Sequence, residues 1–279
     1  MPIHDQSYRR YSGRRIPRGR GWTVIARAGL RTFLARRAFL GLLLLSWLPF
    51  IVRAVQMYAA ANFPQAAILA PTPETFRRYL DQQGPFVFFV TVYVGAGLIA
   101  NDRRANALQI YLSKPLSRAE YVFGKLAILL ALLLLVTGVP ALVLLALQAA
   151  FAGSFAFVRA NLFLVPAIAL FSLIEAIMVS AAMLALSSLS NNSRFVGILY
   201  AGLIFFTDAL FGVTRFVARG TGASWISYGH SLAQVGDAIF RLPPRYATPW
   251  PVSLAMIVAL VAASGWVLER RVRGVEAVA

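Results

Sequence analysis

Six apolar runs, each close to the length that crosses a lipid bilayer, constrain this chain more than any other feature. A helix rising 1.5 Å per residue needs about 20 apolar residues to span the hydrocarbon core. Such runs cover residues 38–61, 86–100, 126–150, 162–186, 195–213 and 250–268. The second has only 15 clean residues, so residues 80–85 are expected to extend it, or the membrane to thin around it. Gly138 and Pro140 predict a kink in the third, because proline removes a backbone donor and crowds the preceding turn. In lipid the backbone must satisfy its own hydrogen bonds, so the fold class is all-α: a polytopic integral membrane protein with six transmembrane helices.

Composition agrees. Hydrophobic residues make up 59% and charged residues 13%, with mean hydropathy +0.70. Soluble domains rarely exceed about half apolar. The net charge of +17 is divided among loops and termini, not collected on one folded face, which argues against nucleic acid as a partner. No cysteine is present, and His4 and His230 lie far apart, so no metal site is expected. The first apolar run reads as a span rather than a cleavable signal peptide. Of 27 Lys and Arg, ten fall in residues 1–37, five in 101–125, one in 187–194 and three after 268. With those segments inside, 19 of the 27 are cytoplasmic, which predicts a chain with both termini in the cytoplasm. It reads as one membrane domain: a basic tail over 1–20, an amphipathic helix over 21–37, a six-span bundle over 38–268 and a cytoplasmic tail over 269–279.

Trp22, Ile25, Ala26, Gly29, Leu30, Phe33 and Leu34 fall on one helical face, with Arg27, Arg31, Arg36 and Arg37 supplying charge. Such a helix lies in the membrane interface or packs on cytoplasmic loops. The stretch from Asn101 to Lys125 is the strongly basic polar island between spans. Asn101 or Asp102 is expected to cap a helix on which Ala105, Leu108, Tyr111 and Leu112 share a face. Pro115 ends that helix at Lys114. Ser117 and Glu120 form a capping box for the next, with Leu116 and Tyr121 as its hydrophobic staple. On chemistry alone this is an ordinary basic loop or a surface for a cytoplasmic partner.

The string from Leu112 to Lys125, L-S-K-P-L-S-R-A-E-Y-V-F-G-K, resembles the first cytoplasmic loop of ABC-2 type ABC transporter permeases. There an acidic residue and a basic cluster close the second span, and a short coupling helix precedes an L-S-[KR]-P-[LI]-S-R-x-E-[YF]-x-x-G-K segment. The resemblance implies the transmembrane subunit of a bacterial ABC exporter in the cytoplasmic (inner) membrane. A second permease copy, identical or not, would complete the translocation path among membrane lipids. It also implies separate ABC ATPase subunits that bind ATP and Mg, with no cofactor in this chain, and a cytoplasmic coupling helix over 102–114. The coupling residues would be Asp102, Arg103, Arg104, Leu108, Tyr111, Leu112, Lys114, Pro115, Arg118, Glu120 and Lys125.

Three ionisable residues fall in or near apolar runs. Arg53, Glu175 and Asp208 must face the bundle interior or find partners, because charge at membrane depth is costly. Glu175 is either part of a translocation path or a structural contact, with Arg53 as a candidate partner. Asp208 could pair with Arg215. Between the fifth and sixth spans, Leu232, Val235, Ile239 and Leu242 are spaced for a helix that Pro243-Pro244 would end. No phosphate-binding loop, zinc motif or paired-carboxylate motif is present, so ATP hydrolysis is expected on another chain. Two readings from other classes compete: a polytopic enzyme acting on lipids through Glu175, Asp208 or His230, and a membrane scaffold or sensor without transport.

Overall fold

Proline, glycine and capping residues decide where the apolar runs bend and stop. A computed structural model of the protein describes residues 19–107 and 116–272. Every regular element among them is helical. Six helical segments are long and apolar enough to cross a membrane: Arg37–Asn62, Pro73–Arg104, Arg118–Phe151, Leu164–Leu189, Ser193–Ala218 and Trp250–Arg271.

The first span breaks at Trp47, between helices Arg37–Ser46 and Leu48–Asn62. Pro49 has no N–H to continue the ladder there. The kink expected in the third span is present at Thr137, between helices Arg118–Val136 and Gly138–Phe151. The second span is far longer than its apolar run. Helix Pro73–Gln82 precedes it with a Thr72 capping box, and a π-turn over Thr91–Gly95 interrupts it. Gly95 permits a close crossing at that turn: a Cβ there would stand 2.4 Å from the Met183 side chain.

The fourth span is the most enclosed and packs against the second, third, fifth and sixth. The first is the least enclosed. Between the fifth and sixth spans lies helix Tyr228–Ile239, capped by the Ser227 side chain, as the apolar spacing predicts. Helix Gly21–Leu34 crosses the start of the third span. The crossing is close because it pairs two glycines: a Cβ on Gly29 would meet Ile128 at 2.2 Å, and one on Gly124 would meet Ile25 at 2.8 Å and the Trp22 carbonyl at 3.1 Å.

The bundle therefore has two polar ends. The junction end holds helix Gly21–Leu34, residues 101–107 and 116–125, and the turn after Leu189. The far end holds helices Pro73–Gln82 and Tyr228–Ile239 and the segments around them.

Candidate functional site

At the junction end, residues on both sides of the segment 108–115 are tied to four elements. The capping box forms as expected: Ser117 Oγ accepts from the Glu120 N–H at 3.2 Å, and Glu120 Oε2 accepts from the Ser117 N–H at 2.9 Å. Glu120 Oε1 also accepts from the Gly21 N–H at 2.9 Å. A first-turn carboxylate thus serves the orphan donors of two helix starts. One turn on, Lys125 Nζ lies 2.7 Å from Asp102 Oδ2, and the Tyr121 hydroxyl donates to the same oxygen at 2.7 Å.

Arg103 donates to the Ser188 carbonyl, one of the orphan acceptors at the end of the fourth span. Beside it the Ser187 hydroxyl enters the backbone of the second span. It accepts from Ile99 and Ala100 N–H at 3.1 and 3.0 Å and donates to the Ala96 carbonyl at 2.9 Å. The second, third and fourth spans and helix Gly21–Leu34 are thereby joined at one place.

This geometry corrects one expectation. Asn101 and Asp102 do not cap a new helix; they lie inside helix Ala96–Arg104, the end of the second span. Continuation of the ladder from the span outweighs their capping tendency. The chain turns only at Asn106, which adopts a left-handed φ of 51° that asparagine tolerates. Ala107 is again helical. Leu108, Tyr111, Leu112, Lys114 and Pro115 lie outside the described residues. Arg104 and Arg118 are exposed.

At the far end, Arg77 is fully buried. Its guanidinium contacts Asp81 at 2.6 Å and Asp237 at 3.3 Å, and stacks 4.3 Å above the Phe171 ring. Arg245 closes the ring, reaching Asp81 at 2.7 Å and Asp237 at 2.8 Å. Two guanidiniums therefore balance two carboxylates. Burial pushes the Asp237 carboxyl up from its ordinary value, while Arg245 and Arg77 pull it back. Gly236 makes room for the cluster: a Cβ there would lie 2.6 Å from Arg77 Nε.

The chain matches the family described as ABC-2 family transporter protein over residues 39–268. It belongs to that family. Comparison with curated proteins finds no match. The protein is thus a multi-pass permease subunit of an ABC transporter, a class that works with ABC ATPases.

In the permease, Glu175 and Arg53 do not meet. Arg53 bonds Gln56, one turn on in its own helix, at 3.1 Å, and Gln82 at 3.3 Å, which the helix before the apolar part of the second span brings to it. Glu175 is 6% exposed and lines a cavity of about 500 Å³, and its Oε2 has no hydrogen-bond partner among the described residues. Asp208 contacts Ser227 and His230 instead of Arg215. The turn after the fifth span folds back and carries helix Tyr228–Ile239 onto it.

Sequence reasoning missed that Ser227, His230 and Asp208 come together. The trio is a helix cap rather than a nucleophilic arrangement. Ser227 Oγ accepts the His230 backbone N–H at 3.2 Å and lies between the imidazole and the carboxylate, whereas a nucleophilic triad places histidine between the other two. The Arg77 cluster was also missed. Only its i,i+4 half, Arg77–Asp81, has a sequence signal; Asp237 and Arg245 are more than 150 residues away.

Proposed function

We propose that the permease exports its cargo as a dimer in a bacterial inner membrane, with the junction end and both termini in the cytoplasm. An ABC ATPase seats on segment 102–114 and drives the bundle through it. The observation that supports this reading is the fourfold tie around that segment. Asp102 holds the third span through Lys125 and Tyr121, Arg103 holds the end of the fourth, and Glu120 holds the start of helix Gly21–Leu34. A load applied between residues 105 and 116 would therefore reach three spans as rigid bodies, one of the standard forms of alternating access. Asp102, Arg103, Glu120 and Lys125 act in this reading as positioning residues. Arg104, Arg118 and the apolar face of Leu108, Tyr111 and Leu112 remain to meet the ATPase, while ATP and Mg stay on that partner.

Export between two copies fits the exposed faces of the first and fifth spans. They carry Leu44, Ile51 and Val55, and Ile198, Phe206 and Phe216, surfaces for lipid or a second copy. The test is co-purification of the permease with its ATPase and measurement of ATP turnover. A buried Leu or Tyr anchor contributes roughly 1.5–3 kcal/mol. Leu108→Asp and Tyr111→Asp should therefore remove ATPase binding or stimulation while the permease still assembles. Leu69→Asp at the far end should do neither. Full complex formation and transport by the Leu108 and Tyr111 variants would refute the coupling role.

A further inference from the structure

We propose that the cavity beside Glu175 binds a lipophilic organic cation, with Glu175 as its counter-ion and aromatic rings as its walls. Glu175 sits within the fourth span, almost fully buried. A buried carboxyl without a donor is costly, and at membrane depth more so. No hydrogen bond or ion pair among the described residues relieves it, and its Oε2 is left without a partner.

The neighbouring cation does not supply the missing charge. Arg77 also lines the cavity, but its guanidinium is committed to Asp81 and Asp237 and covered by Phe171. The ring of Arg77, Arg245, Asp81 and Asp237 balances on its own. Glu175 is one carboxyl in excess of that ring, and a ligand carrying positive charge is the kind that would hold it in its ionised form.

The walls suit such a ligand. Phe88, Phe89, Phe205, Tyr200 and Tyr228 line the cavity, and a cation desolvated against aromatic faces gains energy that an aliphatic wall cannot give. Phe88 stacks on Tyr200 with centroids 5.9 Å apart, and the Tyr200 and Tyr228 hydroxyls lie 3.3 Å apart, so these rings are held in place before any ligand arrives. Phe89 and Phe205 are 56% and 67% exposed. They place the opening on the lipid-facing surface between the second and fifth spans, where a lipophilic cation is concentrated. The volume, about 500 Å³, falls within the range of small-molecule sites.

As the cargo class of the exporter this inference rests on the function proposed above. As a binding site it does not, and the test reads binding alone. The purified full-length permease in detergent, without ATP or ATPase, is titrated with tetraphenylphosphonium and with its anionic isostere tetraphenylborate. Saturable one-to-one binding of the cation is expected, with no competition from the borate. Glu175→Gln should weaken the cation by roughly tenfold or more. Phe89→Ala and Phe205→Ala leave the carboxyl in place and should each weaken it severalfold; they decide the matter if Glu175→Gln does not fold. Absence of saturable cation binding, equal binding of the borate, or affinity unchanged in the folded variants would each overturn the proposal. Equal binding of both ions with displacement by phospholipid would make the cavity a lipid groove instead.

Discussion

The two ends of the bundle solve the same problem, charge in a mostly apolar protein, in opposite ways. At the far end the charges are closed on themselves. Arg77 is fully buried, and the two Asp–Arg contacts made by Arg245 complete a ring that joins helix Pro73–Gln82 to helix Tyr228–Ile239 and the segment after it. At the junction end the ion pair is smaller: the Lys125 and Asp102 side chains are 11% and 20% exposed, between the buried Arg77–Asp237 half of the far-end ring and its outer Asp81–Arg245 half. The junction residues flank segment 108–115. The ring resists distortion, because separating its buried Arg77–Asp237 pair leaves a desolvated charge. The open tie passes displacement from one element to the next. The contrast points to an end that holds its shape and an end that receives movement.

The largest effect expected is all-or-none. The chain has no cysteine, so single cysteines report sidedness cleanly. Ala119 is exposed at the junction end and Ser154 at the far end. In intact cells an impermeant thiol reagent should label Ser154→Cys, and should label Ala119→Cys only after lysis. The reverse pattern would exchange the roles of the two ends.

Next in size is Arg77→Met. It leaves Asp81 and Asp237 with one guanidinium between them, and breaking a buried pair from one side costs roughly 3–5 kcal/mol. A large fall in thermal stability in detergent is expected. If Asp102→Asn at the junction costs as much, the contrast between closed and open charge is wrong.

Gly124→Leu sharpens the comparison at the junction. Its Cβ would meet the Trp22 carbonyl, which is backbone and cannot swing aside. Overpacking of this kind costs about 1–3 kcal/mol, and here it should lift helix Gly21–Leu34 off the third span. A cysteine pair at Gly29 and Ile128, which face each other across this crossing, would cross-link in the parent and fail to do so in the variant.

The smallest stability effect expected is Asp102→Asn, about 1 kcal/mol for a partly exposed pair. Coupling should suffer more than folding, seen as a lower ATP turnover in the assembled complex. A double-mutant cycle with Lys125→Met would separate the pair's own contribution. Additive effects of the two substitutions would sever the link between this ion pair and coupling.

Much of the fold is legible along the chain because its signals are local. Apolar length gives the spans, Gly138 and Pro140 give the break at Thr137, and Ser117 with Glu120 gives the start of the third span. The junction is legible in part. The motif residues Glu120, Tyr121, Gly124 and Lys125 stand out in sequence, but their partners do not. Gly21 and Ile25 are reached only after the chain has crossed and returned, and Asp102 only across the loop between the second and third spans. Asn101 and Asp102 misled because a good capping residue inside a continuing helix carries the same local signature as one at its start.

By itself the sequence determined that this protein crosses a membrane six times as helices, since hydrogen-bond satisfaction in lipid leaves an apolar run little choice. It also determined where several of those helices begin and bend. Only the tertiary structure decided which polar groups meet. Arg53 finds amides rather than Glu175, Asp208 finds Ser227 and His230, and Arg77 finds Asp237 across the far end. Glu175 alone of these finds no ion-pair or hydrogen-bond partner among the described residues, and its Oε2 is left bare beside the cavity. Period and propensity act within a few turns of helix, whereas the pairing of buried charges depends on how whole helices cross, and no stretch of sequence encodes that alone.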